Sequence, residues 1–171
     1  MPFSALEIVA EPVGHLLSAV VGRLDPREPR TVAVVGIEPR LPDDESERLI
    51  RSFRGVRLFS EGWILIAVFA TPLEGVRCAL TLAETGDPER GRVTGALHDG
   101  LMWDSRSDFV EPVSRVVAEL ADLAELGQLL ITGAVHDGMT ADRTIDMAYV
   151  GSSTLQGQMT PVFEVRRVAR G

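Results

Sequence analysis

TVAVVGIEPRLPDDESERLIRSFRGVRLFSEGWILIAVFATPLEGVRCALTLAET (residues 31–85) holds the alternation that decides the fold. It opens with TVAVVGI (31–37), a short apolar run beginning with β-branched residues, which reads as a central strand. In LPDDESERLIRSF (41–53), Asp43 or Asp44 can cap a helix whose apolar positions Leu49, Ile50 and Phe53 recur at helical spacing. GVRLFSEGWILIAVF (55–69) is two β-rich runs around Glu61-Gly62, the mark of a hairpin. Thr71 then caps a second helix with Pro72 at its first position, and Leu73, Val76, Leu80 and Ala83 form its inner face.

Downstream the same alternation continues. TGDPERG (85–91) is a turn or loop, and residues 92–103 return as a strand or hairpin. Val113, Val116, Val117, Leu120, Leu123 and Ala124 define a helix from Pro112 to Leu126, which Gly127 ends. QLLIT is a strand, AVHDGM a short helix or turn, and IDMAYVG and PVFEVRRV are late strands. The order is therefore β-α-β-β-α-β-α-β-α-β-β, an α/β (α+β) domain with helices packed on a mixed sheet. GALHDG (95–100) and GAVHDG (133–138) differ at one position, but their flanks do not match, so they are read as coincidence rather than duplication.

Upstream, ALEIVAEPVGHLLSAVVGRL (5–24) is apolar with few charges. Leu16, Leu17, Val20, Val21 and Leu24 predict a short amphipathic helix after Pro12. Such a face needs completing by another part of the protein or by a partner. DPREPR (25–30) reads as a joint, dividing the chain into an N-terminal extension (1–30) and a main domain (31–171).

Composition narrows the function classes. At 171 residues and 45% apolar content, the chain suits one domain with a real core. The net charge is -8, all 17 basic residues are Arg, and no basic patch stands out, so neither nucleic acid nor an anionic membrane is expected as a partner. Cys78 is the single cysteine, which excludes an internal disulfide or a thiolate cluster; it reads as a buried small hydrophobe. No apolar run reaches the length of a membrane span and no leader-type start is seen, so the expected location is cytoplasmic.

Three further stretches carry a resemblance. RVTGALHDG (92–100), DFVEPVSRVVAELADLAELGQLLIT (108–132) and VGSSTLQGQMTPVFEVRRV (150–168) lie in an order and spacing similar to the catalytic domain of class III adenylate and guanylate cyclases. The resemblance runs from about Thr31 to Val168 and implies a ferredoxin-like core. It also implies head-to-tail dimers with a nucleoside triphosphate at the interface, two Asp residues holding two divalent metals, and an Asn and an Arg from one helix at the transferring phosphoryl group. Carboxylates are needed there to hold the metals, and a cation to meet developing charge.

At those positions this chain departs from the family. By the resemblance, Gly36 stands at the first metal Asp, Trp63 at the second and Phe59 at the base-recognising Lys. Arg115 falls at the Asn, Glu119 at the transition-state Arg, and Glu111 at the preceding Gly. Glycine and indole are not metal ligands, and Glu119 reverses the charge. No catalytic residue, no metal and no cofactor is therefore assigned. Arg115 and Glu119, at i and i+4, are expected to pair, with Glu111 extending the ladder. Asp99, Asp104 and Asp108 near His98 supply ligand types without a ligand spacing and read as solvated carboxylates; His98 reads as structural, and His15 and His136 receive no role.

The leading expectation is a non-catalytic regulatory domain that works by association, as a homodimer or with a hetero-partner protein. A second is a sensor that keeps a modified pocket for a nucleotide-like planar ligand, with Trp63 and Phe59 as stacking surfaces and Arg115 beside them. An enzyme of altered chemistry is the third; no Ser-His-Asp or Cys-His arrangement supports it.

Overall fold

A computed structural model describes residues 30–38, 42–61, 64–85, 92–100, 113–139 and 142–169. Strands β1 (Arg30–Glu38), β2 (Val56–Glu61), β3 (Ile64–Phe69), β4 (Arg92–Gly100), β5 (Leu129–Thr132), β6 (Ile145–Leu155) and β7 (Gln158–Arg167) form one sheet. Helices α1 (Asp43–Ser52), α2 (Pro72–Thr85), α3 (Val113–Leu123) and α4 (Gly133–Gly138) punctuate them in the order expected from the sequence.

The sheet order is β2-β3-β1-β4-β5-β7-β6. β1 lies between β3 and β4 and is antiparallel to both, whereas β4 and β5 are parallel. A parallel pair needs a crossover, and α3 supplies it. The first four strands with α1 and α2 make the ferredoxin-like core, and β5 to β7 extend the sheet. Both faces of its centre are covered, because β3 and β5 are buried at every position. That explains why ILIAVF and LLIT lack the apolar/polar alternation of a one-sided strand. On one face Ala33, Val35, Leu65, Ala67, Phe69 and Leu97 pack against Ile50 of α1 and Val76, Cys78, Ala79 and Leu82 of α2. α3 packs on β4 and β1 from the other face and buries Val116, Val117, Leu120 and Ala121.

Local chemistry explains most helix ends. At α2, Thr71 Oγ1 accepts from the Glu74 N–H at 3.3 Å and donates to the Glu74 carboxylate at 3.1 Å, the cap expected from Thr71-Pro72. At α1 the expected cap is corrected: Pro42 is the N-cap, without a side-chain bond, and Asp43 and Asp44 are the first helical residues. There their charge complements the helix dipole instead of capping. α3 ends at Leu123 rather than Leu126, with Gly127 in a turn at φ 83°.

The C-terminus of α1 is closed by two backbone bonds, Gly55 N to Ile50 O at 2.9 Å and Arg54 N to Arg51 O at 2.9 Å. In this motif the left-handed residue is usually glycine, yet here Arg54 takes φ 57° and the glycine follows it. Packing supplies the reason. A Cβ on Gly55 would lie 2.4 Å from the Phe69 ring and 2.8 Å from Ile50, so glycine is required at 55. Among the described residues no helix is long and apolar enough to cross a membrane.

Candidate functional site

Gly36 lies near the end of β1, paired with Ile64 on one side and Thr94 on the other. Ile64 opens β3 and pairs with Glu61, the last residue of β2, so these strand ends lie at the level of Gly36. Phe59 sits in β2 opposite Ile66, next to a bulge between Arg57 and Phe59. Trp63, Glu111, Asp104, Asp108, His15 and most of the 1–30 extension lie outside the described residues.

Arg115 is the third and Glu119 the seventh of the eleven residues of α3. Its apolar face is buried against the sheet, which turns Arg115 to solvent and leaves Glu119 half-buried. The expected Arg115–Glu119 pair is not what Glu119 forms. One carboxylate oxygen accepts the Gln156 backbone N–H at 2.9 Å, and the other accepts from the Gln156 side-chain amide. Gln156 and Gly157, at φ 46° and 77°, are the two-residue turn between β6 and β7. An unpaired N–H there meets a full negative charge, a stronger contact than an exposed ion pair on one helix. Glu119 thus pins a hairpin tip to α3. Sequence reading missed it because the partner is 37 residues away and has no helical spacing to betray it.

Gly36 lies toward the C-terminal end of α3 and Arg115 toward its N-terminal end. The chain leaving α3 returns to the Gly36 end: Gly127 N donates to Thr94 Oγ1 at 2.7 Å, and Gly95 N to Gln128 O at 3.0 Å. Arg115 lies eight residues before the last residue of α3, about 12 Å back along the axis at 1.5 Å per residue. A single copy therefore holds Gly36 and Arg115 toward opposite ends of α3.

Two buried threonines are matched with polar groups on neighbouring strands. Thr31 and Thr132 are fully buried. Thr132 Oγ1 lies 2.8 Å from His98 Nδ1, and Thr31 Oγ1 donates to Asp99 at 3.3 Å. Burial lowers the His98 pKa to about 4, so the ring is neutral near pH 7, as suits the structural role expected for it. Burial raises Asp99, and the Thr31 hydrogen bond opposes the shift. Cys78 is buried, its thiol pushed up to about 12 by desolvation, and it lines a void of about 10 Å³ under α2 with Ile50 and Phe69. His136 stacks on Phe163 with ring centroids 4.1 Å apart. Among the described residues no group of three or more His, Cys, Asp or Glu is placed to hold a metal ion.

No protein-family model matches the chain, and no curated protein matches it in sequence. Its fold does match solved structures. An adenylate cyclase from Trypanosoma brucei, solved in its monomeric state, aligns with a TM-score of 0.63 at 18% identity, over 82% of this chain and 90% of that one. The adenylyl cyclase CyaB from P. aeruginosa aligns at 0.64 and 13% identity, over 84% and 96%. The non-canonical dimeric guanylyl cyclase domain from Blastocladiella emersonii aligns at 0.60 and 11%, over 82% and 97%. The chain has the fold of class III adenylate and guanylate cyclase catalytic domains, as its sequence resemblance implied.

Proposed function

We propose that this cyclase-fold domain is non-catalytic and acts by association, as a homodimer or with a hetero-partner. The observation that carries the reading is Glu119. At the position where the resemblance expects the cation of phosphoryl transfer, the chain has an anion, and both its oxygens are engaged with Gln156. A carboxylate there repels a triphosphate instead of stabilising charge in its transition state. Gly36 adds to this, since it offers no ligand at the first metal position. The distance of Arg115, near the start of α3, from the Gly36 end of that helix supports a role in which two chains meet, as the head-to-tail arrangement implied by the resemblance would have it. Among structures of like fold, one is described as monomeric and another as dimeric.

The test is a pair of measurements on the purified chain. ATP and GTP turnover with Mn²⁺ is expected to give no cyclic product, while sedimentation velocity over a hundredfold concentration range is expected to show reversible self-association. Cyclic product would refute the non-catalytic reading. A concentration-independent monomer would refute homodimerisation and leave the hetero-partner. A saturable thermal stabilisation by a nucleotide would favour the sensing role over association, since a ligand that binds only the folded state raises its stability by mass action.

A further inference from the structure

β6 ends the sheet beyond β7 and, at eleven residues, is its longest strand among those described. Its outer edge carries backbone N–H and C=O groups with no strand beside them among the described residues. Long edges usually carry lysine, proline or inward charges that prevent pairing with another chain. IDMAYVGSSTL has neither lysine nor proline, and its one charge is Asp146. The middle is open to solvent: Tyr149 is 61% and Val150 49% exposed, and Ala148, Ser152 and Thr154 are exposed as well. The register shows which backbone groups point outward. Val168 N donates to Thr144 O at 3.0 Å, so Thr144, Asp146 and Ala148 turn theirs toward β7, and Ile145, Met147 and Tyr149 turn theirs to the edge. A bulge between Tyr149 and Gly151, with Gly151 at φ 133°, then shifts the alternation by one residue. Beyond it Ser152 faces Pro161, which has no N–H to share, so Ser152 and Thr154 point outward.

The bulge decides what this edge can accept. The outward residues Met147, Tyr149, Ser152 and Thr154 are spaced two, three and two apart. A regular strand repeats at two, so it can follow β6 on one side of the bulge only. A reversed copy of β6 has the same spacing as β6 itself. We infer that β6 is the surface through which two copies of this chain pair, antiparallel about a two-fold axis between Val150 and Gly151. Met147 then lies opposite Thr154 of the second copy, Tyr149 opposite Ser152 and Ala148 opposite Ser153, with both bulges at the axis. The two Asp146 carboxylates fall at opposite ends, each facing a Leu155, so chains of net charge -8 meet along a nearly uncharged line. Tyr149 and Ser152 share a face, their hydroxyl oxygens 3.0 Å apart, and the axis brings two such pairs together. The Tyr149 ring rests edge-on against Phe163, with centroids 5.5 Å apart, which presents it already ordered to the second copy. A two-fold contact of this kind closes on itself and stops at a dimer. The inference rests on the association reading above and gives it a surface in β6 rather than in α3.

The test joins sedimentation velocity of the full chain to a register-specific cross-link. The native chain is expected to dimerise reversibly. Val150→Lys, which sets an ammonium from each copy at the axis, is expected to weaken the dimer at least about tenfold at unchanged Tm. If Val150→Lys lowers Tm, Thr154→Lys, at an exposed edge position, carries the same comparison. Under mild oxidation, Ala148→Cys chains mixed with Ser153→Cys chains are expected to form covalent mixed dimers. Either variant alone should not link, because each thiol meets its counterpart only across the axis and native Cys78 is buried. A native dimer that the lysines leave intact, or that yields no mixed cross-link, would overturn the β6 pairing and leave association to another surface. A strict monomer at every concentration would overturn it together with homodimerisation.

Discussion

Replacing Glu119 tests whether it works as a structural tie between α3 and the β6–β7 turn. Its two oxygens take the backbone N–H and the side-chain amide of Gln156 in the β6–β7 turn. Hydrogen bonds to a charged group contribute about 1.5–3 kcal/mol when shielded. Gln156 is exposed and Glu119 only half-buried, so the expected loss for Glu119→Ala is smaller, about 1–2 kcal/mol. For a chain of this size that lowers Tm by roughly 2–8 °C. Gln156→Ala removes only the side-chain amide and is expected to cost about 0.5 kcal/mol, because the backbone donor remains. A double-mutant cycle read by urea denaturation should therefore give a coupling of about 0.5 kcal/mol, with the larger part of the Glu119 effect persisting in the Gln156→Ala background. Glu119→Arg places a cation against an N–H donor and is expected to be the most destabilising of the set, while restoring no cyclase activity. A cost for Glu119→Ala below about 0.3 kcal/mol, measured against the ordinary scatter of surface substitutions, would refute the tie.

Acid should weaken the domain through His98, whose pKa falls from about 6.5 to about 4 on folding. The unfolded chain binds the proton more readily, so stability is complete above about pH 6.5 and is lost as pH falls toward 4, by up to about 3 kcal/mol. Asp99, whose carboxyl burial raises, acts in the opposite sense, because the folded chain holds that proton more readily than the unfolded one; denaturation from pH 4 to 8 should show the net slope, and His98→Gln should remove the His98 part of it. Arg54→Gly relieves a left-handed residue and is expected to raise stability by about 0.5–1 kcal/mol, whereas Gly55→Ala drives a methyl into Phe69 and Ile50 and should cost about 1–3 kcal/mol; thermal melts that ranked the two glycine positions the other way would contradict the assignment of the α1 terminus. Cys78, buried and with its thiol raised to about 12, should react with a thiol reagent at the rate of global unfolding. Fast labelling under native conditions would place it outside the core.

The sequence by itself determined the succession of elements. Periodicity, caps and turn pairs act within a few residues, and the chain shows them plainly: β-branched runs for β1 and β3, Thr71-Pro72 opening α2, Glu61-Gly62 between β2 and β3. The cyclase-like fold was legible as well, because the order and spacing of three stretches carried the resemblance that the fold bears out. Boundaries set by packing were less legible, which is why α1 begins one residue after Pro42 and α3 stops before Leu126. What only the tertiary structure decided is which distant residues meet. The strand order places β1 between β3 and β4, and no local pattern encodes that choice. Glu119 looked like half of an ion pair with Arg115 because i, i+4 spacing is visible in a sequence, whereas Gln156, 37 residues on, is not. The two near-identical hexapeptides make the same point: GALHDG is strand in β4 and GAVHDG is helix α4. In β4 the segment is held between β1 and β5, with Leu97 opposite both Ala33 and Ile131. In α4 it follows the end of β5, and its Gly133 and Gly138 have Pro161 and Pro72 close to where their Cβ atoms would be. The local preference of these six residues is weak enough for either conformation, so the neighbours available to share their backbone hydrogen bonds determine the outcome.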